Sequence, residues 1–337
     1  MTEYLDLGLK NPILPIPAVH RAKAKRPTAV GDAAGNTFAY VFSRELGLAV
    51  NAALATRRPL LLRGAPGSGK SSLARALAEV AGRSFLFQVV ASDSKLDDLL
   101  WSYDHVRRLQ DASTPGLEIA EDHDYVEPQV LWWALAPAAA LGRGKAGRVP
   151  KRTLKPPASE PSVIDKPPVL LLDEIDKADS SLPNDLLAVL GDGQFRIRET
   201  SEEINAEPER AALVVITTNE ERELSRAFLR RCIVAEIPQR TGADLQKWLI
   251  SVGNAHFPPS SPDPAATTAA TPTLVEEVAE LLVKLASGPG GKLPSAAEFV
   301  DLLRTCSVLG ISVGQTEFDV MRRLVVTKSR GTSNVGG

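Results

Sequence analysis

The chain is poor in the residues that build metal and thiol chemistry. It has two cysteines, Cys232 and Cys306, and four histidines, His20, His105, His123 and His256. The cysteines stand in apolar runs and show no metal-binding spacing, so they read as buried, reduced thiols. The histidines are scattered, which argues against a zinc centre or a histidine-based catalytic site. Charge of neither sign dominates: 39 lysines and arginines stand against 41 aspartates and glutamates in 337 residues. A globally basic nucleic-acid binder is not indicated. No apolar run reaches the length of a membrane span, and Glu3 and Asp6 stand where a signal peptide would be basic, so a cytoplasmic protein is expected. Hydrophobic residues make up 44% of the chain, enough for a real core, and the length suits about two domains.

Against that background one stretch stands out. Leu60-Leu61-Leu62-Arg63, an apolar run of strand type, leads into Gly64-Ala65-Pro66-Gly67-Ser68-Gly69-Lys70-Ser71. The spacing G-x-x-x-x-G-K-S is that of a phosphate-binding loop. Its glycines can take backbone angles that a Cβ forbids, so their N–H groups can curl around phosphate oxygens. Lys70 brings a positive charge to the β and γ phosphates, and the Ser71 hydroxyl can face a magnesium ion. An alanine-rich helix follows, Leu73 to Val80, whose N-terminal partial charge adds to the attraction. Gly64, Ala65, Pro66, Gly67, Ser68, Gly69, Lys70, Ser71 and Ser72 are the candidate nucleotide-binding residues.

Residues 1–36 are rich in proline and in basic residues, Arg21, Lys23, Lys25 and Arg26 among them. They read as an arm packed on the surface or as a partly disordered one. From Phe38 to Leu54 the residues Phe42, Leu46, Val50 and Ala53 recur at helical spacing. Phe85 to Val90 reads as a second strand. Ser92 or Ser94 then caps a helix carrying Leu96, Leu99, Leu100 and Trp101. Pro128 to Ala140 reads as a short helix, whose Trp132 and Trp133 suit either core packing or stacking on a nucleobase. Residues 142–167 combine Arg143, Lys145, Arg148, Lys151, Arg152, Lys155 and Lys166 with repeated prolines. That is the composition of a mobile loop, which could also touch an acidic partner or nucleic acid.

Val169 to Leu172 is apolar at each position, as suits a strand buried on both faces. It delivers Asp173 and Glu174 at its C-terminal end, where ligands sit in parallel α/β sheets. Asp173 can hold a magnesium ion through its water shell. Glu174 points elsewhere and can polarise an attacking water. Pro183 to Leu190 continues as a helix, Gly191 to Arg198 as a turn and small hairpin, and Leu213 to Thr218 as another buried strand, which ends in Asn219. An asparagine there can hydrogen-bond a γ-phosphate or orient the water, and it is also an ordinary turn former. Leu224 to Arg231 reads as a helix and Ile233 to Ile237 as the fifth strand. Strand and helix alternate to this point, which implies a parallel sheet covered on both faces. After Pro238 only helical spacing remains, in Leu274, Val275, Val278, Leu281, Leu282 and Leu285, and again in Phe299, Leu302, Leu303, Cys306 and Leu309. Residues 258–272 between them read as a flexible excursion, and Gly331 to Gly337 as a frayed tail.

Four stretches together resemble the AAA+ ATPases, and within them the MoxR-like branch. They are the phosphate loop, Leu172-Asp173-Glu174-Ile175-Asp176-Lys177-Ala178, Thr218-Asn219, and Ala227-Phe228-Leu229-Arg230-Arg231. The resemblance spans roughly Phe38 to Lys328. It implies a P-loop NTPase fold, with a parallel five-stranded sheet of order 5-1-4-3-2 and a C-terminal all-helical lid. It divides the chain into an arm (1–36), an α/β nucleotide-binding domain (37–240, with an insertion at about 104–167), a helical lid (241–330) and a tail (331–337). It implies ATP hydrolysis with Mg2+, a homo-oligomeric ring that is usually a hexamer, and remodelling of a protein client, with a von Willebrand factor A protein as a candidate partner. Asn219 then matches the first sensor position. Arg231, with Arg230 beside it, matches the arginine finger that reaches the ATP of a neighbouring subunit. From spacing alone, Arg230 and Arg231 are a basic helix end, favourable to its dipole. Two features depart from the family pattern. The stretch from Lys70 to Asp173 is long. Ala297, in the helix that begins Pro294-Ser295-Ala296, stands where the second sensor is often an arginine, with Lys292 and Arg304 as candidates to replace it. The alternative readings are a nucleic-acid motor or loader, hinted at by the basic 142–167 segment, and a nucleotide-dependent switch in a multi-gene system, with phage defence one candidate role.

Overall fold

The computed structural model describes residues 4–23, 37–115, 119–143, 166–207, 209, 212–257, 270–288 and 293–327. Part of the expected arm (24–36), most of the basic 142–167 segment, residues 258–269, Lys292 and the tail from Gly331 lie outside these residues.

Where the arm is described, it is packed. Leu7 and Ile16 are buried. The buried Asn51 side chain accepts from the Leu14 N–H and donates to the Leu14 carbonyl, each at 3.0 Å. β1 (Val19–Lys23) then pairs antiparallel with β2 (Thr37–Val41). This corrects the helical reading that began at Phe38. β1 lies alongside to complete the backbone hydrogen bonds of a strand, and tertiary context overrides local spacing. The helix, α1 (Arg44–Thr56), starts only after Ser43, whose hydroxyl accepts from the Leu46 N–H at 3.2 Å.

The chain continues as β3 (Leu60–Arg63), α2 (Lys70–Ala81), β4 (Phe85–Val89), α3 (Leu96–Leu100), β5 (Trp101–Tyr103), α4 (His105–Ser113), β6 (Val126–Pro128), α5 (Val130–Leu135) and α6 (Pro137–Gly142). After these come β7 (Val169–Asp173), α7 (Leu182–Asp192), β8 (Gln194–Arg196), β9 (Glu203–Asn205), β10 (Leu213–Thr218), α8 (Arg226–Arg231) and β11 (Ile233–Glu236). Five of the strands form one parallel sheet in the order β11-β3-β10-β7-β4. Counted along the chain that is 5-1-4-3-2, the P-loop NTPase order. Leu60, Leu62, Val169, Leu171 and Val215 join α1 and α2 in one apolar layer. Leu61, Leu170, Leu172, Val214 and Ile216 join α3, α5, α7 and α8 in the other. Both faces are covered, which is why the inner strands β3, β7 and β10 are apolar over most of their length. No described helix is long and apolar enough to cross a membrane.

Between β4 and β7 the described residues are ordered, and several boundaries differ from expectation. Trp101 does not end α3 but opens β5, which pairs with β6. Neither Ser92 nor Ser94 caps α3. Asp98 closes its first turn by accepting from the Lys95 N–H at 2.9 Å, and the Ser94 hydroxyl accepts from the Ala91 N–H. The helix expected at 128–140 is two helices, α5 and α6, because Pro137 has no N–H with which to continue the first. Trp132 and Trp133 are 0% and 1% exposed, which decides for core packing over nucleobase stacking. Trp132 meets Phe195 edge-on at 5.4 Å, Trp101 stacks on Phe195 at 6.1 Å, and the Trp101 indole N–H donates to Glu199 at 2.8 Å. The hairpin expected near Gly191 is therefore β8–β9, held to the β5–β6 pair by aromatic rings. By contrast α4 has no buried residue and exposes Val106 and Leu109.

After β11, α9 (Gly242–His256), α10 (Pro272–Ala286), α11 (Ala296–Leu309), α12 (Thr316–Arg322) and a π-helical turn (Arg323–Thr327) share an apolar cluster of their own. Of the segment expected to be flexible, 258–272, residues 258–269 lie outside the described residues, while Ala270 is buried and Thr271 caps α10. The β1–β2 hairpin ties these helices to the sheet. Arg21 Nε donates to the Ala255 carbonyl at the end of α9 at 2.9 Å, and His20 meets Glu79 of α2 at 2.7 Å. Cys232 and Cys306 are both buried, and burial pushes the Cys232 thiol up to about 12, as suits an unreactive thiol.

Gly253 shows how closely the C-terminal helices meet. A Cβ there would stand 2.5 Å from Val275 Cγ1 and 3.3 Å from Phe299 Cε1. Gly253→Val should cost about 1–3 kcal/mol of stability, read as a lower urea midpoint. A parent-like midpoint would contradict this packing.

Candidate active site

The register of three adjacent strands builds the site. β10 lies between β3 and β7, with Thr218 beside Arg63 and Ile216 beside Leu172. The C-terminal ends of these strands bring the glycine loop, the Asp173–Glu174 pair and Asn219 together.

In the loop, Gly64 is buried while Ala65, Pro66 and Gly67 form an exposed rim. Gly67 has φ +75°, and a Cβ on it would meet Ser295 Cβ, at the start of α11, at 2.6 Å. Ser68 Oγ is buried with no hydrogen-bond partner among the described residues. Gly69 caps α2, and Ser72 lies in its first turn. Lys70 is turned inward and is 6% exposed. Its ammonium donates to the Gly64 carbonyl at 2.7 Å, the Ala65 carbonyl at 3.0 Å and Asn219 Oδ1 at 2.8 Å. Burial lowers its pKa from the ordinary lysine value, and the carboxylates of Asp173, Asp176, Glu174 and Glu220 act against that shift.

The Ser71 hydroxyl lies 2.9 Å from both oxygens of Asp173 and donates to that carboxylate. Thr217, fully buried in β10, donates its hydroxyl to the same carboxylate and accepts from the Glu174 N–H at 2.9 Å. Glu174 and Glu220, just past the ends of two adjacent strands, are both left-handed at φ 62°. Such backbone costs on the order of 1–3 kcal/mol and persists only where its surroundings fix it. For Glu174 those surroundings are visible. Asn219 Nδ2 donates to Oε1 at 3.0 Å, and Lys177 Nζ donates to Oε2 at 2.5 Å. The hydrogen bond to Glu174 raises the Lys177 pKa above its ordinary value. Glu220 pairs with Arg63, and the buried Asp176 accepts from the Glu221 N–H at 2.9 Å. A cleft of about 390 Å³ opens beside this cluster, lined by residues 89–92, Glu174, Asp176, Lys177, Glu221 and Arg222.

The structure thus gathers Lys70, Ser71, Asp173, Glu174 and Asn219 into one hydrogen-bonded cluster. It leaves Arg230 and Arg231 apart. Both are exposed at the C-terminal end of α8, with no hydrogen bond or ion pair among the described residues. Ala297 is exposed in the first turn of α11. Arg304 is nine residues beyond Ser295, roughly 13 Å along the helix axis at 1.5 Å per residue, so it does not share the place where Ser295 lies against Gly67. Four further residues belong to the site. Thr217 looked like one more apolar-compatible strand position. Lys177 lay inside the Asp-Glu stretch with no visible partner. Tyr40, whose ring edge would stand 3.5 Å from a Cβ on Gly69, and Ser295 reach the loop only through tertiary contact.

A family model described as an AAA domain of the dynein-related subfamily matches residues 59–232, just over half of the chain. The chain belongs to this AAA family. No curated protein sequence matches it. Among solved structures, a variant of RuvB from Thermotoga maritima is similar at 16% identity, over 85% of this chain and 69% of that one, with a TM-score of 0.42. The matched AAA residues include the loop, Asp173, Glu174, Asn219, Arg230 and Arg231, while α9 to α12 lie beyond them.

The contact at Gly67 can be tested directly. Gly67→Ala adds a side chain to left-handed backbone and drives it into Ser295. It should lower stability by about 1–3 kcal/mol, seen in thermal unfolding. An unchanged midpoint would contradict both the backbone conformation and the contact.

Proposed function

We propose that the chain binds and hydrolyses ATP with Mg2+ as one subunit of a homo-oligomeric AAA+ ring, and that it remodels or activates a partner protein. The hydrogen-bonded cluster of Lys70, Ser71, Asp173, Glu174 and Asn219 carries this reading. The loop fits a triphosphate. Its lysine is buried, and the three hydrogen bonds of the ammonium all go to neutral oxygens, which anionic phosphate oxygens outcompete. Ser71 and Asp173, one hydrogen bond apart, fit a magnesium ion, which prefers oxygen ligands. When bound, that ion neutralises charge on the phosphates. Glu174 takes the proton of the attacking water, Asn219 orients the water or the γ-phosphate, and Lys70 offsets the negative charge. The α9–α12 cluster supports treating residues 241–330 as a lid on a nucleotide-binding domain of residues 37–240. Arg230 and Arg231, exposed on α8, serve the ATP held by the next subunit. The MoxR-like branch, a hexameric ring and a von Willebrand factor A type of partner rest on the sequence resemblance.

Two variants test the chemistry. Lys70→Ala should lose ATP binding in a titration with a fluorescent analogue, because the loop has no other side-chain cation. Glu174→Gln should bind ATP like the parent while turnover falls by roughly 10²–10⁴-fold, the scale of a lost general base. Parent-rate turnover in Glu174→Gln would assign the base to another residue.

The shared site has its own test. Lys70→Ala and an Arg230→Ala, Arg231→Ala double variant should each be inactive. Mixed together, they should form some interfaces with an intact loop on one side and intact arginines on the other, and activity should partly return. If native mass spectrometry shows mixed rings and the mixture stays inactive, the arginines do not act between subunits.

A further inference from the structure

We propose that Lys177 is a positioning residue for hydrolysis: it anchors one oxygen of Glu174, while Asn219 holds the other until a phosphate draws Lys70 away. The proposal deepens the ATPase reading and rests on it.

The two hydrogen bonds on the Glu174 carboxylate differ in kind. Lys177 closes a single 3-10 turn that starts immediately after Glu174. Its backbone N–H donates to the Glu174 carbonyl at 3.0 Å, and its ammonium donates to Oε2 at 2.5 Å. Both bonds are local to that turn, and neither involves the loop. The left-handed backbone of Glu174 opens the same turn. The bond on Oε1 is not local. It comes from Asn219 Nδ2, and Asn219 Oδ1 in turn accepts from Lys70 Nζ. Lys70 is the cation of the phosphate loop, so whatever occupies the loop acts on Asn219.

The consequence follows from relative acceptor strength. An anionic phosphate oxygen accepts from an ammonium more strongly than an amide oxygen does. With phosphate on the loop, Asn219 loses its tie to Lys70, and its amide N–H can turn to a phosphate oxygen. Oε1 of Glu174 is then open to accept a proton, and Oε2 stays where Lys177 holds it. Asp176 and Glu221 lie close enough to Lys177 to help keep it charged, and Arg222 shares the same cleft. The Lys177 side chain is 41% exposed. A pair that exposed adds little to stability, so the main effect of Lys177 is to place the carboxylate.

The test combines kinetics with a readout that needs no turnover. Lys177→Met should keep the parent unfolding midpoint and the parent affinity for a non-hydrolysable ATP analogue. Its kcat should fall by something on the order of 10²-fold, as for a catalytic group displaced by about 1 Å. Lys177→Arg should recover most of that loss. Separately, amine acylation of the full chain, mapped by mass spectrometry, should modify Lys177 slowly in the parent and several-fold faster in Glu174→Gln. Adding the analogue with Mg2+ should protect Lys70 and leave Lys177 as slow as before. A parent-like kcat in Lys177→Met overturns the proposal. So does equal acylation of Lys177 in the parent and in Glu174→Gln, or exposure of Lys177 by the analogue. If the analogue fails to protect Lys70, the ATP reading of the loop falls, and with it the release step. The comparison of the parent with Glu174→Gln still decides whether Lys177 holds the carboxylate.

Discussion

A buried ammonium governs this molecule. Lys70 is almost fully enclosed, and a charge taken out of water costs several kcal/mol unless it is well partnered. Among the described residues its hydrogen bonds reach two loop carbonyls and one amide oxygen. The compensating negative charge stands close by, on Asp173, Glu174, Asp176 and Glu220. The sheet order makes this possible. β10 lies between the strand that leads into the loop and the strand that carries the carboxylates. Neighbouring strands are about 4.8 Å apart, so β3 and β7 are separated by roughly 10 Å. That gap holds the lysine side chain, and the residue just past the middle strand can touch both sides of it. Asn219 does so, with Lys70 on its oxygen and Glu174 on its nitrogen.

The same reasoning separates what the sequence reveals from what it hides. The loop and the Asp-Glu pair stand out in the sequence because the phosphate and magnesium chemistry proposed for them restricts residue types within a few positions. The strand order came only through family resemblance, since hydrophobic runs show that a strand is buried and not which strand lies beside it. Thr217 was hidden for that reason: its role is set by its neighbour in β7, and only the register reveals the neighbour. Lys177 was in plain sight, but its partnership depends on a left-handed backbone at Glu174, which nothing in the residue types announces. The early start given to α1 has a simple cause. Phe38 and Phe42 fit helical spacing as well as strand spacing, and the pairing partner, β1, is far enough back in the sequence to leave no local trace.

The long stretch between Lys70 and Asp173 is less of an appendage than its composition suggested. Phe195 of β8 is covered by Trp101 of β5 and Trp132 of α5, so two hairpins distant in sequence share one aromatic cluster. Two ion pairs, an exposed one of Arg198 with Asp97 and one of Glu202 with Arg143, whose guanidinium lies over the Trp132 ring, cross the same seam. Such pairs are individually weak, so the buried rings do most of the holding. The cluster continues into the layer beneath β7 and β10. A tryptophan inside such a cluster is not available to stack on a base. Among the described residues of this region, α4 turns Val106 and Leu109 outward.

Among the described residues, the C-terminal helices meet the loop at Ser295 rather than through a cation. Ser295 lies against Gly67, and its own N–H and hydroxyl are taken up by Glu298. The N-terminus of α11 therefore reaches the loop already capped by a carboxylate from its own first turn. The second link is the β1–β2 hairpin, which holds α9 through Arg21 and α2 through His20. α2 begins at Lys70, so both links converge on the segment that carries the buried charge. Gly67 has no side chain to spare at its contact, and any rearrangement of the loop backbone there must be matched by a movement of Ser295. The position of α9 to α12 is in this way coupled to the loop by steric contact and main-chain geometry.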